Sequence, residues 1–65
     1  MKIKIKATKD LYNEGLCFKK DGIYEIEADV LLVEKYQLEN KTATNEQGKP
    51  HRIGLWYRHF RILSA

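Results

Sequence analysis

A strict alternation of lysine with apolar residues opens the chain, since residues 2–7 read Lys-Ile-Lys-Ile-Lys-Ala. A repeat of two residues is typical of a β-strand, whose successive side chains point to opposite faces. The pattern recurs over residues 23–28, where Tyr24, Ile26 and Ala28 alternate with two glutamates. Two half-buried strands need partners in a sheet, so this alternation constrains the chain to a largely β-structure.

Further strands and turns are predicted along the rest of the chain. Residues 9–20 break the alternation and are predicted to form a long loop, with Leu11, Leu16 and Phe18 plugging one end of the core. The Asp21-Gly22 pair and the polar residues 45–50 predict turns. The remaining predicted elements are strands over Val30–Leu38, Lys41–Thr44, Arg52–Tyr57 and Arg61–Leu63, and a short 3₁₀ turn over Arg58–Phe60.

The short chain predicts one domain over residues 1–65. Five or six short strands in so few residues favour an all-β fold that forms a closed or nearly closed small barrel, because closure removes exposed sheet edges. Cys17 is the only cysteine, which excludes an internal disulfide and the common zinc sites. We therefore expect no metal or cofactor and a reducing, intracellular setting. No apolar run approaches the ~20 residues of a membrane span, and no signal peptide is recognisable.

Three pieces of the chain carry a resemblance to a known group of proteins. The lysine-rich first strand is followed by Lys19–Ile26, then by Gly54–Tyr57 and a turn with Phe60. In this order they resemble the small SH3-like β-barrel proteins of phages and prophages of Gram-positive bacteria, which are largely uncharacterised. The resemblance implies an SH3-like barrel of five to six short antiparallel strands with a short 3₁₀ turn near the C-terminus, in the cytoplasm of a host bacterial cell. It implies no activity, because a fold does not fix a function.

Few residues are suited to catalysis. Ser64 is the only serine and lies next to the last residue, so a Ser-His-Asp arrangement is not expected. Cys17 could act as a nucleophile, but nothing in the sequence poises it, and a half-buried loop cysteine is the favoured interpretation. Glu25 and Glu27 lie on one strand face about 7 Å apart, where a solvated face is favoured over an acid–base pair. The sequence therefore predicts that the protein is not an enzyme.

Charge is unevenly distributed, although the formal net charge is only +3. Residues 1–9 carry +4, residues 10–40 carry −5 and residues 41–65 carry +4. The first and last segments of small barrels are commonly neighbours. If they pair here, their basic residues would merge into one patch opposite an acidic face.

The lysines of the first strand allow two interpretations. Lys2, Lys4 and Lys6 lie on one face at a spacing of about 7 Å, which could follow a phosphate backbone. They could also protect an edge strand against aggregation, for which lysine is the favoured residue. The second interpretation is the favoured one.

Cations and aromatic residues interleave between residues 51 and 61, as in proteins that bind single-stranded nucleic acid. In the predicted strand, Arg52 and Trp56 share a face that Arg58 continues. The competing interpretation, which we favour, makes Trp56 or Tyr57 a core aromatic, with the arginine side chains lying over it or pairing with acidic residues. The alternative function is weak nucleic-acid binding through a basic and aromatic patch. Its residues are Lys2, Lys4, Lys6, Arg52, Trp56, Arg58 and Arg61.

Binding of a protein partner is the leading prediction. Tyr12 in the predicted long loop, together with Trp56 and Tyr57, could line a groove of the kind in which peptides dock. If the resemblance to phage proteins holds, a host protein is a reasonable target. The sequence therefore predicts a non-catalytic binding protein that contacts its partner through an aromatic and basic surface.

Overall fold

The alternating segments form antiparallel β-structure in the computed structural model, which describes residues 1–29, 32 and 34–64. This part of the chain contains seven strands and two 3₁₀ helices. The strands are β1 (Lys2–Ala7), β2 (Leu11–Tyr12), β3 (Leu16–Phe18), β4 (Ile23–Glu27), β5 (Thr42–Thr44), β6 (Pro50–Arg52) and β7 (Phe60–Ser64). The 3₁₀ helices are η1 (Lys35–Asn40) and η2 (Gly54–His59). The prediction of a small all-β fold is confirmed.

The strands form two antiparallel sheets. The main sheet has five strands in the order β6-β5-β4-β1-β7, and β2 and β3 form a separate hairpin. In the described residues β6 and β7 do not pair with each other, so the main sheet has two edges and is not closed. Strand β1 lies inside the sheet, between β4 and β7. The interpretation of its lysines as protection of an edge strand is therefore wrong.

The core lies on the inner face of β1 and β4, where Ile3 pairs with Ile26 and Ile5 pairs with Tyr24. Phe18 is fully buried at its centre, with its ring 4.9 Å from Tyr24 and edge-on to it. Burying such side chains drives folding, at about 1.5–3 kcal/mol for each one that is fully covered. The buried apolar residues are Ile3, Ile5, Ala7, Leu11, Cys17, Phe18, Tyr24, Ile26, Ala28, Leu32, Leu38, Ala43, Ile53 and Phe60.

The segment predicted as a long loop contains the β2–β3 hairpin instead. Its turn uses Glu14 and Gly15, both in the left-handed region at φ 57° and 114°. The predicted plugs Leu11 and Phe18 are buried, because the hairpin lays them over the core. Cys17 is 1% exposed and thus buried more deeply than expected, since it sits in β3 and not in an open loop.

Residues 35–38, predicted as the end of a strand, belong to η1. The Glu34 N–H donates to Gln37 Oε1 at 2.9 Å, and the Glu34 carbonyl accepts from the Gln37 N–H at 3.1 Å. These local hydrogen bonds take the place of the inter-strand hydrogen bonds that a β-strand would form. The segment is therefore helical although its residues favour a strand. Val30, Leu31 and Val33, from the first part of that prediction, lie outside the described residues.

The predicted strand Arg52–Tyr57 is also wrong, because β6 ends at Arg52 and η2 begins at Gly54. Gly54 has a φ of 55°, a left-handed conformation that glycine adopts at little cost. The Trp56 N–H then donates to the Ile53 carbonyl at 3.1 Å, the spacing of a 3₁₀ helix. The 3₁₀ turn predicted over Arg58–Phe60 therefore begins earlier and ends at His59. The final strand is confirmed as β7, one residue longer at each end than predicted.

Candidate functional site

A groove lies between the turn of the β2–β3 hairpin and η2. Its volume is about 280 Å³, and it is lined by Asn13, His51, Arg52, Ile53, Leu55 and Trp56. A 3₁₀ helix repeats every three residues, so Ile53 and Trp56 lie on the side that faces the core, while Leu55 turns outwards. Ile53 is accordingly buried, and Leu55 is 75% exposed at the edge of the groove. Such an exposed leucine next to a core-backed floor suits the side chain of a partner.

Hydrogen bonds from the β5–β6 turn hold the hairpin side of the groove in place. The Glu46 N–H donates to the Cys17 carbonyl at 2.7 Å. The side-chain amide of Gln47 donates to the Leu16 carbonyl at 3.2 Å. These bonds connect the two sheets, so the position of the hairpin relative to β6 is fixed by contacts far apart in sequence.

Tyr24, on β4, adds two hydrogen bonds that also join the hairpin region to the β5–β6 turn. Its hydroxyl donates to Glu46 Oε1 at 2.6 Å and accepts the Lys19 N–H at 2.7 Å. Burial, aided by the hydrogen bond to Glu46, raises the pKa of Tyr24 to about 12. A Cβ atom at Gly22 would lie 2.6 Å from the Tyr24 hydroxyl, so the predicted Asp21-Gly22 turn needs glycine for space.

His51 and Trp56 form a stacked pair on the groove wall. Their ring centroids are 5.1 Å apart and the rings are inclined by only 15°. His51 Nδ1 lies 2.8 Å from the Arg52 carbonyl oxygen, to which it donates its proton. Nε2 then accepts from the Asn13 side-chain amide at 3.3 Å, which joins the wall to the hairpin.

His51 was not among the predicted site residues. No local pattern pairs it with Trp56, because their contact depends on the chain leaving the extended conformation at Gly54 to form η2. The interleaving of cations with aromatics over residues 51–61 was the available signal, but the predicted strand began at Arg52 and did not include His51.

Trp56 combines both roles that the sequence left open. It is half-buried and packs against the core, with its ring edge-on to Phe18 at 5.9 Å. The same side chain lines the groove. A half-buried aromatic ring of this kind offers contact area without much side-chain freedom to lose.

Arg52 lines the groove close to η1. Its Nε donates to the Glu39 carbonyl at 3.3 Å, and Nη2 donates to Asn40 Oδ1 at 3.2 Å. In the part of the chain that the structure describes, no carboxylate lies within 4.0 Å of its guanidinium. Arg52 is therefore held in position by neutral oxygens, and its charge is not paired.

Tyr57 and Arg58 do not line the groove. Tyr57 is half-buried and packs against the core, and the Arg58 guanidinium lies over its ring at 5.8 Å from the centroid. A hydrogen bond with the Tyr57 side chain raises the pKa of Arg58. The predicted face shared by Arg52, Trp56 and Arg58 is thus divided: the first two lie in the groove, and Arg58 lies outside it.

Tyr12, the predicted aromatic of the loop, is 64% exposed on β2. It does not line the groove, where its neighbour Asn13 takes the place expected for it.

The lysines of β1 lie on the outer face of the main sheet, among acidic residues. Lys2 pairs with Glu27 and Lys4 with Glu25 in the register of β1 and β4. The Lys6 ammonium lies 3.7 Å from Asp21 Oδ1.

Part of the predicted charge distribution is correct, because Lys6 is the register partner of Arg61 on β7. The basic ends of the chain do meet there. The expected acidic face on the opposite side is wrong, because the glutamates of β4 stand beside the lysines and not across the molecule from them. On this face, opposite charges are interleaved.

Residues for other kinds of site are not assembled in the described part of the chain. No group of three or more His, Cys, Asp or Glu side chains there could hold a metal ion. Among the same residues, no helix has the length and apolar character needed to cross a membrane. Comparison of the chain with protein-family profiles, with curated proteins and with solved structures gives no match. Function is therefore inferred from the geometry of the groove.

Proposed function

We propose that this protein is a non-catalytic binding domain that holds an extended segment of a partner protein in the groove between the β2–β3 hairpin and η2. The observation that carries the proposal is the position of Leu55, which is 75% exposed beside the stacked rings of His51 and Trp56. An apolar side chain of a partner would pack against Leu55, and the contact would remove apolar surface of both side chains from water. Covered apolar area contributes roughly 25 cal/mol per Å².

An SH3-like barrel is the fold that we propose for this arrangement. Support comes from the strand order β6-β5-β4-β1-β7, from the hairpin between β1 and β4, and from the 3₁₀ helix η2 between β6 and β7. These features agree with the resemblance to the phage and prophage proteins. The proposed setting is the cytoplasm of a host bacterium, with a host protein as the partner. Peptides commonly dock in aromatic-lined grooves of SH3-like domains.

Nucleic-acid binding is supported less well. A phosphate backbone requires cations that are free to replace its counterions. Lys6 instead lies 3.7 Å from Asp21, and Arg58 lies over Tyr57. Lys2 and Lys4 have Glu27 and Glu25 as register neighbours on β4, which lowers the net positive charge of that face. The basic residues of the alternative function are also divided between the outer face of the sheet and the groove side.

Selection of peptides from a random library displayed on phage particles tests the proposal. The wild-type protein is the bait. The affinity of the enriched peptides is then measured for wild type, Leu55→Glu and Leu63→Glu. Leu63 is a matched control, because it is also an exposed leucine, 47% accessible, but lies on β7 outside the groove. We expect Leu55→Glu to weaken binding at least about tenfold, a change of about 1.4 kcal/mol, and Leu63→Glu to leave it unchanged.

Two outcomes would contradict the proposal. Peptides that bind wild type and Leu55→Glu equally would place binding outside the groove. Salt-sensitive binding of a single-stranded oligonucleotide that survives Leu55→Glu, without any groove-dependent peptide, would favour the nucleic-acid alternative. Circular dichroism of both variants establishes that each is folded.

A further inference from the structure

The polar side chains of the groove offer hydrogen-bond donors and positive charge, and none of the lining residues is acidic. Arg52 is the charged member of the set. The other polar members, Asn13 and His51, are joined by a hydrogen bond between the Asn13 side-chain amide and His51 Nε2. A partner segment that brings a carboxylate would therefore find a cation in the groove, whereas a basic segment would find no counter-charge.

Arg52 is oriented in advance for such a contact. Guanidinium has five N–H donors, and the contacts to Glu39 and Asn40 hold its plane through Nε and Nη2. Both acceptors are neutral oxygens, so the guanidinium keeps its charge for an incoming group. A donor fork that is already held loses little freedom when a carboxylate binds, and it can be approached by both carboxylate oxygens.

Acidic residues of the neighbouring hairpin region are directed elsewhere. Asp10 accepts the Lys20 N–H at 2.7 Å, and Asp21 lies 3.7 Å from the Lys6 ammonium. Glu14, at the tip of the hairpin, is exposed and does not line the groove. These three acidic residues therefore place no carboxylate in the groove, where a basic ligand would need one.

From these contacts we infer that the partner segment is acidic: an extended stretch with an apolar side chain for Leu55 and Trp56 and an adjacent carboxylate for Arg52. This inference rests on the proposed function and specifies the chemistry of its ligand. The apolar contact supplies affinity, and the carboxylate selects one class of segment over another.

Two pools of fluorescein-labelled octapeptides test this. Both pools vary apolar residues at alternate positions, with Asp and Glu between them in one pool and Lys and Arg in the other. Fluorescence anisotropy is measured with wild type, Arg52→Glu, Arg52→Lys, Arg61→Glu and Leu55→Glu. Arg61→Glu is the matched control, because it makes the same charge change on β7, outside the groove.

The acidic pool is expected to bind wild type and Arg61→Glu at least about tenfold more tightly than the basic pool does. Arg52→Glu should remove this preference. Arg52→Lys should retain most of it, because the positive charge remains even though the fork is lost. Leu55→Glu should weaken binding of the acidic pool.

Two results separate the inference from the function on which it rests. Binding that is lost in Leu55→Glu but equal for both pools, and unchanged in Arg52→Glu, would overturn the acidic preference and leave the groove as a binding site. Absence of any Leu55-dependent binding, in either pool and at low salt, would overturn the proposed function and the inference together.

Discussion

The outer face of β1 and β4 and the groove beside η2 both carry basic side chains, but they differ in how those charges are partnered. On the outer face, Lys4 stands beside Glu25 in the register of β1 and β4, and Lys6 lies 3.7 Å from Asp21. In the groove, Arg52 is held by neutral oxygens, and Leu55 next to it is 75% exposed.

This difference shows that the environment of a charge says more about binding than the number of charges does. A cation such as Lys6, which already has a carboxylate within ion-pair distance, gains less from a second one than an unpaired cation does. An unpaired, pre-oriented arginine next to exposed apolar surface has more to gain from a ligand. The net charge of +3 does not separate these two surfaces.

The largest expected effect concerns the core beneath the groove. Phe18 is fully buried and edge-on to four rings, those of Tyr24, His51, Trp56 and Phe60. Phe18→Ala should lower the free energy of unfolding by about 3–5 kcal/mol, because it leaves a cavity and removes these ring contacts. A single core of this size supplies only about 3–5 kcal/mol in total, so the variant should be largely unfolded in circular dichroism and urea titration.

Two milder variants compare the core beneath the groove with the core beneath the outer face. Phe18→Leu keeps most of the volume and should stay folded, but it should weaken groove-dependent peptide binding, since Trp56 and His51 lose their support. Ile5→Val, beneath the outer face, should cost about 0.5–1.5 kcal/mol and leave peptide binding unchanged. Equal loss of binding in both variants would show that the floor of the groove is not a separate determinant.

Much of the fold could be predicted from local patterns. The strands β1, β4, β5 and β7 follow from alternation, which burial of one face maintains. The two 3₁₀ helices could not be predicted in this way. At Gly54 the left-handed conformation turns a segment with an alternating pattern out of the sheet, and around Glu34 and Gln37 the local hydrogen bonds compete with strand pairing.

Less of the site could be predicted. Arg52 and Trp56 were identified from the mixture of cations and aromatics, and both line the groove. Asn13, His51 and Leu55 were missed, because their meeting depends on the hairpin and η2 approaching each other across distant parts of the chain. The register that sets the β1 lysines beside the glutamates of β4 is likewise a consequence of sheet order, which the individual segments do not specify.

The next largest effect tests the attachment of the hairpin that forms the groove wall. The folded-state pKa of Tyr24 is raised to about 12, whereas an unfolded tyrosine ionises near 10. The Tyr24 contribution to stability is therefore complete below about pH 10 and is lost as the pH rises through about 12, because only the unfolded chain releases the proton in between. The rise in pKa from 10 to about 12 corresponds to about 3 kcal/mol.

Urea titrations of wild type and Tyr24→Phe from pH 9 to pH 12 measure this contribution. The difference in stability between the two proteins should shrink as the pH rises, because contributions that the two proteins share cancel in the difference. Tyr12→Phe is the matched control, because Tyr12 is exposed and should show no such convergence. A constant difference between wild type and Tyr24→Phe would mean that the Tyr24 hydroxyl does not anchor the hairpin.

The smallest effect is expected on the outer face. Lys4→Glu places a second carboxylate beside Glu25, and like charges opposite each other on neighbouring strands should cost about 0.2–1 kcal/mol. The double variant Lys4→Glu/Glu25→Lys restores an opposite pair and should recover the loss, and high salt should reduce both differences because the pair is exposed. Urea titration at low and high salt measures the stabilities of wild type, Lys4→Glu, Glu25→Lys and the double variant. Groove-dependent peptide binding should be the same in all four proteins. A double variant as unstable as the sum of the two single variants would show that the charges of this face do not act as pairs, and the contrast with Arg52 would then lose its physical basis.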